Sequence, residues 1–450
     1  MWYVRRVRTE DDYLVAGRSL GPGVVAMSVF ATWFGAETCL AAAGETYRRG
    51  LVAATTDPLG YGLAVILVGA LFAARLRAGG FVTVADLFRE RYGTGIERFA
   101  VLLMVPTSVL WAAAQVRAFG QILAVLGGIE PETAIAIAAG VVIIYTMVGG
   151  LLADTMTDVL QGIVLMAGLG ILLVAVVAVV AAGDLAALEQ IPRERFALLP
   201  AGEPLLSHFE RWAIPVIGSL VAQEVIVRAL AARSPEIARR GTVAGGLLFI
   251  AVGTVPILLG LIGAPLLPGL AEPDSVLIVQ AQRYLPTALY VVFAGALVSA
   301  ILSTVDSTLL VAGSLAAHNG VLSLKPGFSP RGKLLMNRGA VVLFGFVAWG
   351  LARSAESVFE LVQESSAFGT AGIVVVFVFA FRQGWGGKWA AAAALAAGAL
   401  VYQVGSRGFL EYPYLVALAA ALGAFLAGGL LDRRGRGLIV RGDAREATTL

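Results

Sequence analysis

Cysteine, histidine and charge are all scarce in this chain. There is one cysteine, Cys39, and there are two histidines, His208 and His318, in 450 residues. One thiol excludes an intrachain disulfide and a cysteine-built metal cluster. Two histidines far apart, each beside an expected helix end, exclude a histidine-built metal or catalytic centre. No HExxH, no acidic DDxxD pair and no Cys–His constellation occurs, which argues against an enzyme. Only 14% of residues are charged, against about 25% in a soluble domain. No basic start leads into an apolar core and cleavage site, so no signal peptide is expected. No kinase or signalling domain follows residue 432, which argues against a membrane sensor.

What fills the chain is apolar: 58% of residues are hydrophobic. The runs are long and do not alternate, which points to helices and not to a barrel. Length and flanks predict about twelve spans, near 22–45, 52–74, 99–127, 132–151, 157–182, 210–231, 242–267, 286–317, 335–354, 357–381, 388–405 and 412–431. The expected fold class is therefore an all-α integral membrane protein. An even number puts both termini on one side. With that side cytoplasmic, most of the 33 Lys and Arg fall inside, among them Arg5, Arg6, Arg8, Arg75, Arg77, Arg89, Arg239 and Lys325. That asymmetry is the positive-inside rule, and it places the chain in a cell (inner) membrane with cytoplasmic ends.

The stretch 297–307, LVSAILSTVDS, breaks the apolar pattern. It carries hydroxyls at Ser299, Ser303, Thr304 and Ser307 and a carboxylate at Asp306. Ala300, Ser303, Thr304 and Ser307 share one helix face by their spacing. That face is a stripe of oxygen, which suits a hard cation. Small residues at four-residue spacing also let helices pack closely in lipid, so the hydroxyls alone leave both readings open. Asp306 tips the balance, because an intramembrane carboxylate marks an ion, proton or substrate pathway.

Two other spans look broken. MSVFATWFGAETCLAAAGETY has Gly35 and Glu37 near its middle, and AIPVIGSLVAQEVIVRAL has Pro215, Gly218, Gln223 and Glu224. A break in lipid is tolerable where freed backbone groups meet an ion, a ligand or a cavity. Transporters built from inverted repeats place such helices at the binding site. The expected organisation is a cytoplasmic segment 1–21, a five-helix repeat 22–182, an extracellular loop 183–208, an inverted five-helix repeat 209–382, two further helices over 383–432 and a cytoplasmic tail 433–450.

Several segments resemble the sodium:solute symporter family: DYLVAGR at 12–18, FATWFGAET at 30–38, GGLLADTMTDVLQG at 149–162, VRALAAR at 227–233 and STVDS at 303–307. The resemblance implies the LeuT-type fold and cation-driven alternating access. It implies a sodium site with the carbonyls of Ala31, Phe34 and Ala300 and the hydroxyls of Ser303 and Thr304 as ligands. It also implies a second cation or proton site at Asp158, Asp306 and Ser307. Most members carry an extra helix before the DYxLAGR segment; here only ten residues precede Asp11.

Solute contacts follow from geometry. Glu37 and Thr38 lie past the first break, and Gln223 and Glu224 past the second. Trp111 and Gln115, one turn apart, could present a ring and an amide to the cavity, as could Phe359 and Gln363. Each ring could equally be ordinary core packing. The expected function is sodium-coupled import of a small organic solute, with Na+ as coupling ion and the bilayer as surroundings. A proton-coupled carrier on the same scaffold is the alternative.

Overall fold

Apolar runs in lipid can satisfy their backbone only as helices or closed barrels. The computed structural model takes the first course: every regular element among the described residues is helical. The structure describes residues 10–148, 151–184, 189, 191–200, 202–322, 327–382 and 384–446. Arg5, Arg6, Arg8, Gly149, Gly150 and Lys325 lie outside them.

α1 (Pro22–Trp33) starts on a proline, which loses nothing at a helix N-terminus. It meets α2 (Glu37–Arg49) at a bend of 58°. α3 (Leu51–Gly79), a short α4 (Val84–Tyr92), α5 (Thr94–Gly127), α6 (Pro131–Val148) and α7 (Leu151–Val179) follow. A bent pair leads the second half as well: α8 (Leu205–Val221) and α9 (Gln223–Leu230), at 40°. Then come α10 (Pro235–Leu266), a short α11 (Val276–Tyr284), α12 (Thr287–Leu322) and α13 (Pro330–Ser354). A third bent pair, α14 (Val358–Ala367) and α15 (Thr370–Ala380), turns by 42° beside Gly369, whose φ of 68° favours glycine. α16 (Lys388–Phe409) and α17 (Pro413–Glu446) come last, the apolar part of α17 being Pro413–Asp432.

Eight of these helices are long and apolar enough to cross a membrane, or up to eleven if each bent pair is one span. The expected figure of about twelve also needs 132–151 as a span, where the apolar helix Pro131–Met147 is shorter. The first two bends fall where Gly35 and Gly218 led us to expect them. The third, in 357–381, was not expected.

α12 sits at the centre, against α5 on one side and α7 on another, while α1 packs on α7 and α10. Its residues from Ser303 to the end of the regular helix at Ser314 are all buried. Large apolar side chains elsewhere face outward, such as Leu102 and Val174. At the arginine-rich end, Leu20 pairs with α9's exit: its N–H donates to Ala231 O at 3.1 Å, and Arg233 N–H donates to Leu20 O at 2.9 Å. Arg18 bonds Gly80 O at 2.6 Å and Arg77 bonds Ala232 O at 2.5 Å.

Candidate functional site

The break between α1 and α2 is held open by a side chain from α5. Phe34 leaves the helical region (φ −88°, ψ 68°). The freed N–H of Ala36 donates to Gln115 Oε1 at 2.9 Å, and Gln115 Nε2 donates to Glu37 Oε2 at 2.6 Å. The amide thus satisfies a backbone donor and orients a carboxylate at once. Gly35 has no room for a side chain. A Cβ there would lie 2.7 Å from Glu37 Oε2, 2.8 Å from Gln115 Oε1 and 2.8 Å from Thr304 Oγ1.

That contact brings α12 to the break. Ala31, Phe34, Ala300, Ser303 and Thr304 are all buried. Thr304 Oγ1 bonds Ala300 O at 3.3 Å, and Ser303 Oγ donates to Asp158 Oδ1. Neutral hydroxyls, with one carboxylate behind them, suit a monovalent hard cation.

Asp158 is a hub. Ser28 of α1 donates to its Oδ2 at 2.5 Å and Thr32 at 3.4 Å. Arg228 of α9 reaches the same oxygen at 3.4 Å and Asp154 Oδ2 at 2.6 Å, and also bonds Ser307. Ser307 donates to Asp154 at 2.9 Å. Two of the three residues expected at a second cation site, Asp158 and Ser307, therefore bond a cation already present, the fully buried Arg228 guanidinium. Asp306, next to Ser307 in the chain, is buried as well. Asp154, one turn before Asp158 in ADTMTD, went unnoticed in the sequence although both acids interrupt an apolar run.

The candidate solute pocket is a cavity between the three bent helix pairs. Of the expected contacts, Glu37, Trp111 and Glu224 line it, and Gln115 stands behind Glu37. Ser108 donates to Glu224 at 2.6 Å. Four expected contacts do not line it. Thr38 turns away and donates to Asp57 at 2.8 Å. Gln223 accepts from Val84 N at 2.9 Å and so fastens the start of α4. Phe359 and Gln363 line a separate outer pocket with Glu45, Arg49 and Arg211. All of these residues belong to α14, and the helix face decides between them: Val362, Ser365 and Ser366 share the face on the pocket by their i, i+3, i+4 spacing, whereas Phe359 and Gln363 lie on another face.

Trp33 and Tyr61 were missed. Trp33 packs edge-on to Trp111 at 4.8 Å and to Tyr61 at 6.1 Å, making an aromatic wall. Its signal was its position immediately before the break. Tyr61 also bonds Ser366 Oγ at 3.1 Å. Gly218 makes α8 fit against α14, since a Cβ there would be 2.2 Å from Ser366 O.

Known proteins can be set beside this geometry. The model of the sodium:solute symporter family matches residues 13–398. High-affinity choline transporter 1 of Caenorhabditis elegans is 26% identical over 373 residues, 78% of this chain and 63% of that protein. The chain thus spans less than two thirds of the length of this relative. A sodium/pantothenate symporter of Haemophilus influenzae is 25% identical over 96% of the chain and 93% of its own length. Among solved structures, the substrate-bound outward-open state of a Na+-coupled sialic acid symporter superposes with a TM-score of 0.81 over 96% of the chain and 94% of its own, at 17% identity. The fold is that of the LeuT-type symporters. Bent helices leading each half, apolar spans around them and a family match across most of the chain agree: this is a multi-pass membrane protein, and it belongs to the sodium:solute symporter family.

Proposed function

We propose that the protein is a sodium-coupled symporter that imports a small organic solute by alternating access. The observation that carries this is the crowding at Gly35. Thr304, a candidate sodium ligand, and Glu37, an acid of the solute pocket, flank one glycine. An ion at Ser303 and Thr304 acts on the solute's counter-charge across a single residue, so downhill sodium completes the solute site. The repeats run over 22–182 and 209–382, two helices over 383–432 complete the bundle, and both termini face the cytoplasm from the inner membrane.

The solute class that fits is an organic ammonium. Three rings and two carboxylates line the pocket, with no basic residue among its lining. Rings attract cations through their faces, and an acid nearby supplies the counter-charge. Relatives named as choline transporters agree with this, whereas the relative named for pantothenate would call for an anion-tolerant pocket. Radiolabelled choline and pantothenate, offered to purified protein in vesicles under an inward sodium gradient, decide between them. Uptake indifferent to sodium overturns the coupling.

One observation favours proton coupling as the second reading. Glu37, Asp57, Asp154, Asp158, Glu224 and Asp306 are all buried, and the fully buried Arg228 pairs with only two of them, Asp154 and Asp158. On that reading Asp158, Asp306 and Ser307 take up a proton, or a further ion, when Arg228 moves off them. Uptake driven by a pH gradient without sodium selects it.

A further inference from the structure

Asp57 interrupts the regular course of α3. Its backbone is extended (φ −133°, ψ 122°) between helical neighbours, and Pro58 after it contributes no N–H. The side chain is 3% exposed. Thr38 donates to Oδ2 at 2.8 Å, while Oδ1 is buried and has no hydrogen-bond partner. Glu37, beside Thr38 on α2, lies within electrostatic reach. Neither acid makes an ion pair with a described residue. Arg228 is committed elsewhere, to Asp154 and Asp158.

Two neighbouring carboxylates in a dry interior repel each other, and the bare oxygen of one is costly to desolvate. A hard, oxygen-seeking cation removes both penalties. We propose that Asp57 and Glu37 form a second sodium site, with Thr38 holding Asp57 in orientation, separate from the oxygens of Ser303 and Thr304. The inference rests on the reading of the chain as sodium-coupled and adds an ion to it. Glu37 then belongs to the surroundings of both ions: its Oε2 and Thr304 Oγ1 crowd the same Gly35, and the neighbouring Thr38 holds Asp57. It also lines the solute pocket. Filling the Asp57 site sets how much of the Glu37 charge is left for the solute.

Binding of radioactive sodium to the purified full-length chain, with KCl replacing NaCl at constant ionic strength, tests this without knowledge of the solute. Asp57→Asn should lose about half of the bound sodium and keep the portion that Ser303→Ala removes; the double variant should bind almost none. Thr38→Val, which keeps shape and loses the hydroxyl, should weaken one of the two ions by roughly tenfold to a hundredfold, as loss of an orienting partner does. This variant carries the test if Asp57→Asn does not fold. Wild-type binding in both Asp57→Asn and Thr38→Val overturns the second site while leaving sodium coupling intact. Loss of the same single ion in Asp57→Asn and Ser303→Ala also overturns it. No sodium binding by the parent protein overturns the coupled reading itself.

Discussion

Asp86 and Glu97, at the arginine-rich end of the bundle, are as deeply buried as Glu37 and Asp57 at its centre: 5% and 0% exposed, against 5% and 3%. The two pairs are handled in opposite ways. Asp86 accepts from the N–H groups of Val82 and Thr83 at 2.9 and 3.0 Å. Asn319 of α12 donates to both Asp86 and Glu97, at 2.9 and 2.8 Å. Arg89 pairs with both acids, and His318 faces Asp86 at 3.6 Å. At the centre, Glu37 has an amide and Asp57 a hydroxyl, with no basic partner among the described residues. A cluster that carries its own positive charge serves the architecture, here joining α4 to α12. A cluster left short of positive charge needs a cation from outside. The Arg228 group lies between these cases, with one internal cation among Asp154, Asp158 and Asp306.

The comparison breaks hardest at Arg228. Replacing it by methionine keeps the volume and leaves Asp154 and Asp158 unpaired, at a cost of about 3–5 kcal/mol. Thermal unfolding in detergent should show a large loss, and adding Asp154→Asn should restore part of it. If Arg228→Met unfolds like the parent, the guanidinium is not the counter-charge we take it to be. The next effect belongs to sodium. An ion held at Ser303 and Thr304 stabilises the folded chain by about 2.7 kcal/mol at a hundred times its dissociation constant. Sodium, compared with potassium, should raise the parent's unfolding temperature and do much less for Ser303→Ala. An equal rise in both would remove Ser303 from the ion's ligands.

Much of this was legible in sequence, and the reasons are physical. Lipid permits few backbone solutions, so apolar runs gave the helices, and Gly35 and Gly218 gave two of the breaks. Ser303 and Thr304 stood out because hydroxyls are rare in such a run. Partnerships were harder to read. Thr38 and Gln223 sit at the right depth but spend their hydrogen bonds on Asp57 and on the start of α4, and only packing decides that. Phe359 and Gln363 share α14 with Ser365 and Ser366 but line a separate pocket from another of its faces, and a sequence does not say which face of a helix turns to a given cavity. Asp57, an acid within the expected span 52–74, carried the same warning as Asp306 and was passed over.

The paired cluster makes a smaller, pH-dependent prediction. Burial pushes the Asp86 carboxyl up, but the His318 bond and charge and the two backbone N–H groups outweigh it, holding it at about 2 against an ordinary 3.8. A depressed carboxyl stabilises the fold above its unfolded value and loses that contribution as pH falls through the folded one. A shift of this size corresponds to something on the order of 2 kcal/mol. Asp86→Asn should therefore be less stable than the parent at neutral pH. The gap should narrow as pH falls from about 4 to about 2. A gap that stays constant over that window would mean that packing, not charge, sets it.

The smallest effect sharpens the central half of the comparison. If the pocket recognises a cation, the Trp33 ring contributes through its electrons as well as its bulk. Trp33→Leu keeps an apolar wall and removes the π face, worth about 0.5–2 kcal/mol according to how dry the contact is. Choline should then bind roughly twofold to thirtyfold more weakly on the same scale. Its uncharged isostere 3,3-dimethyl-1-butanol has the same shape and no charge, so its binding should change much less. Competition against a radiolabelled tracer, or thermal shift in sodium, reads both ligands on one preparation. Equal losses for the two would mean that Trp33 only fills space, and the excess of carboxylates at the centre would then answer to the coupling ions alone.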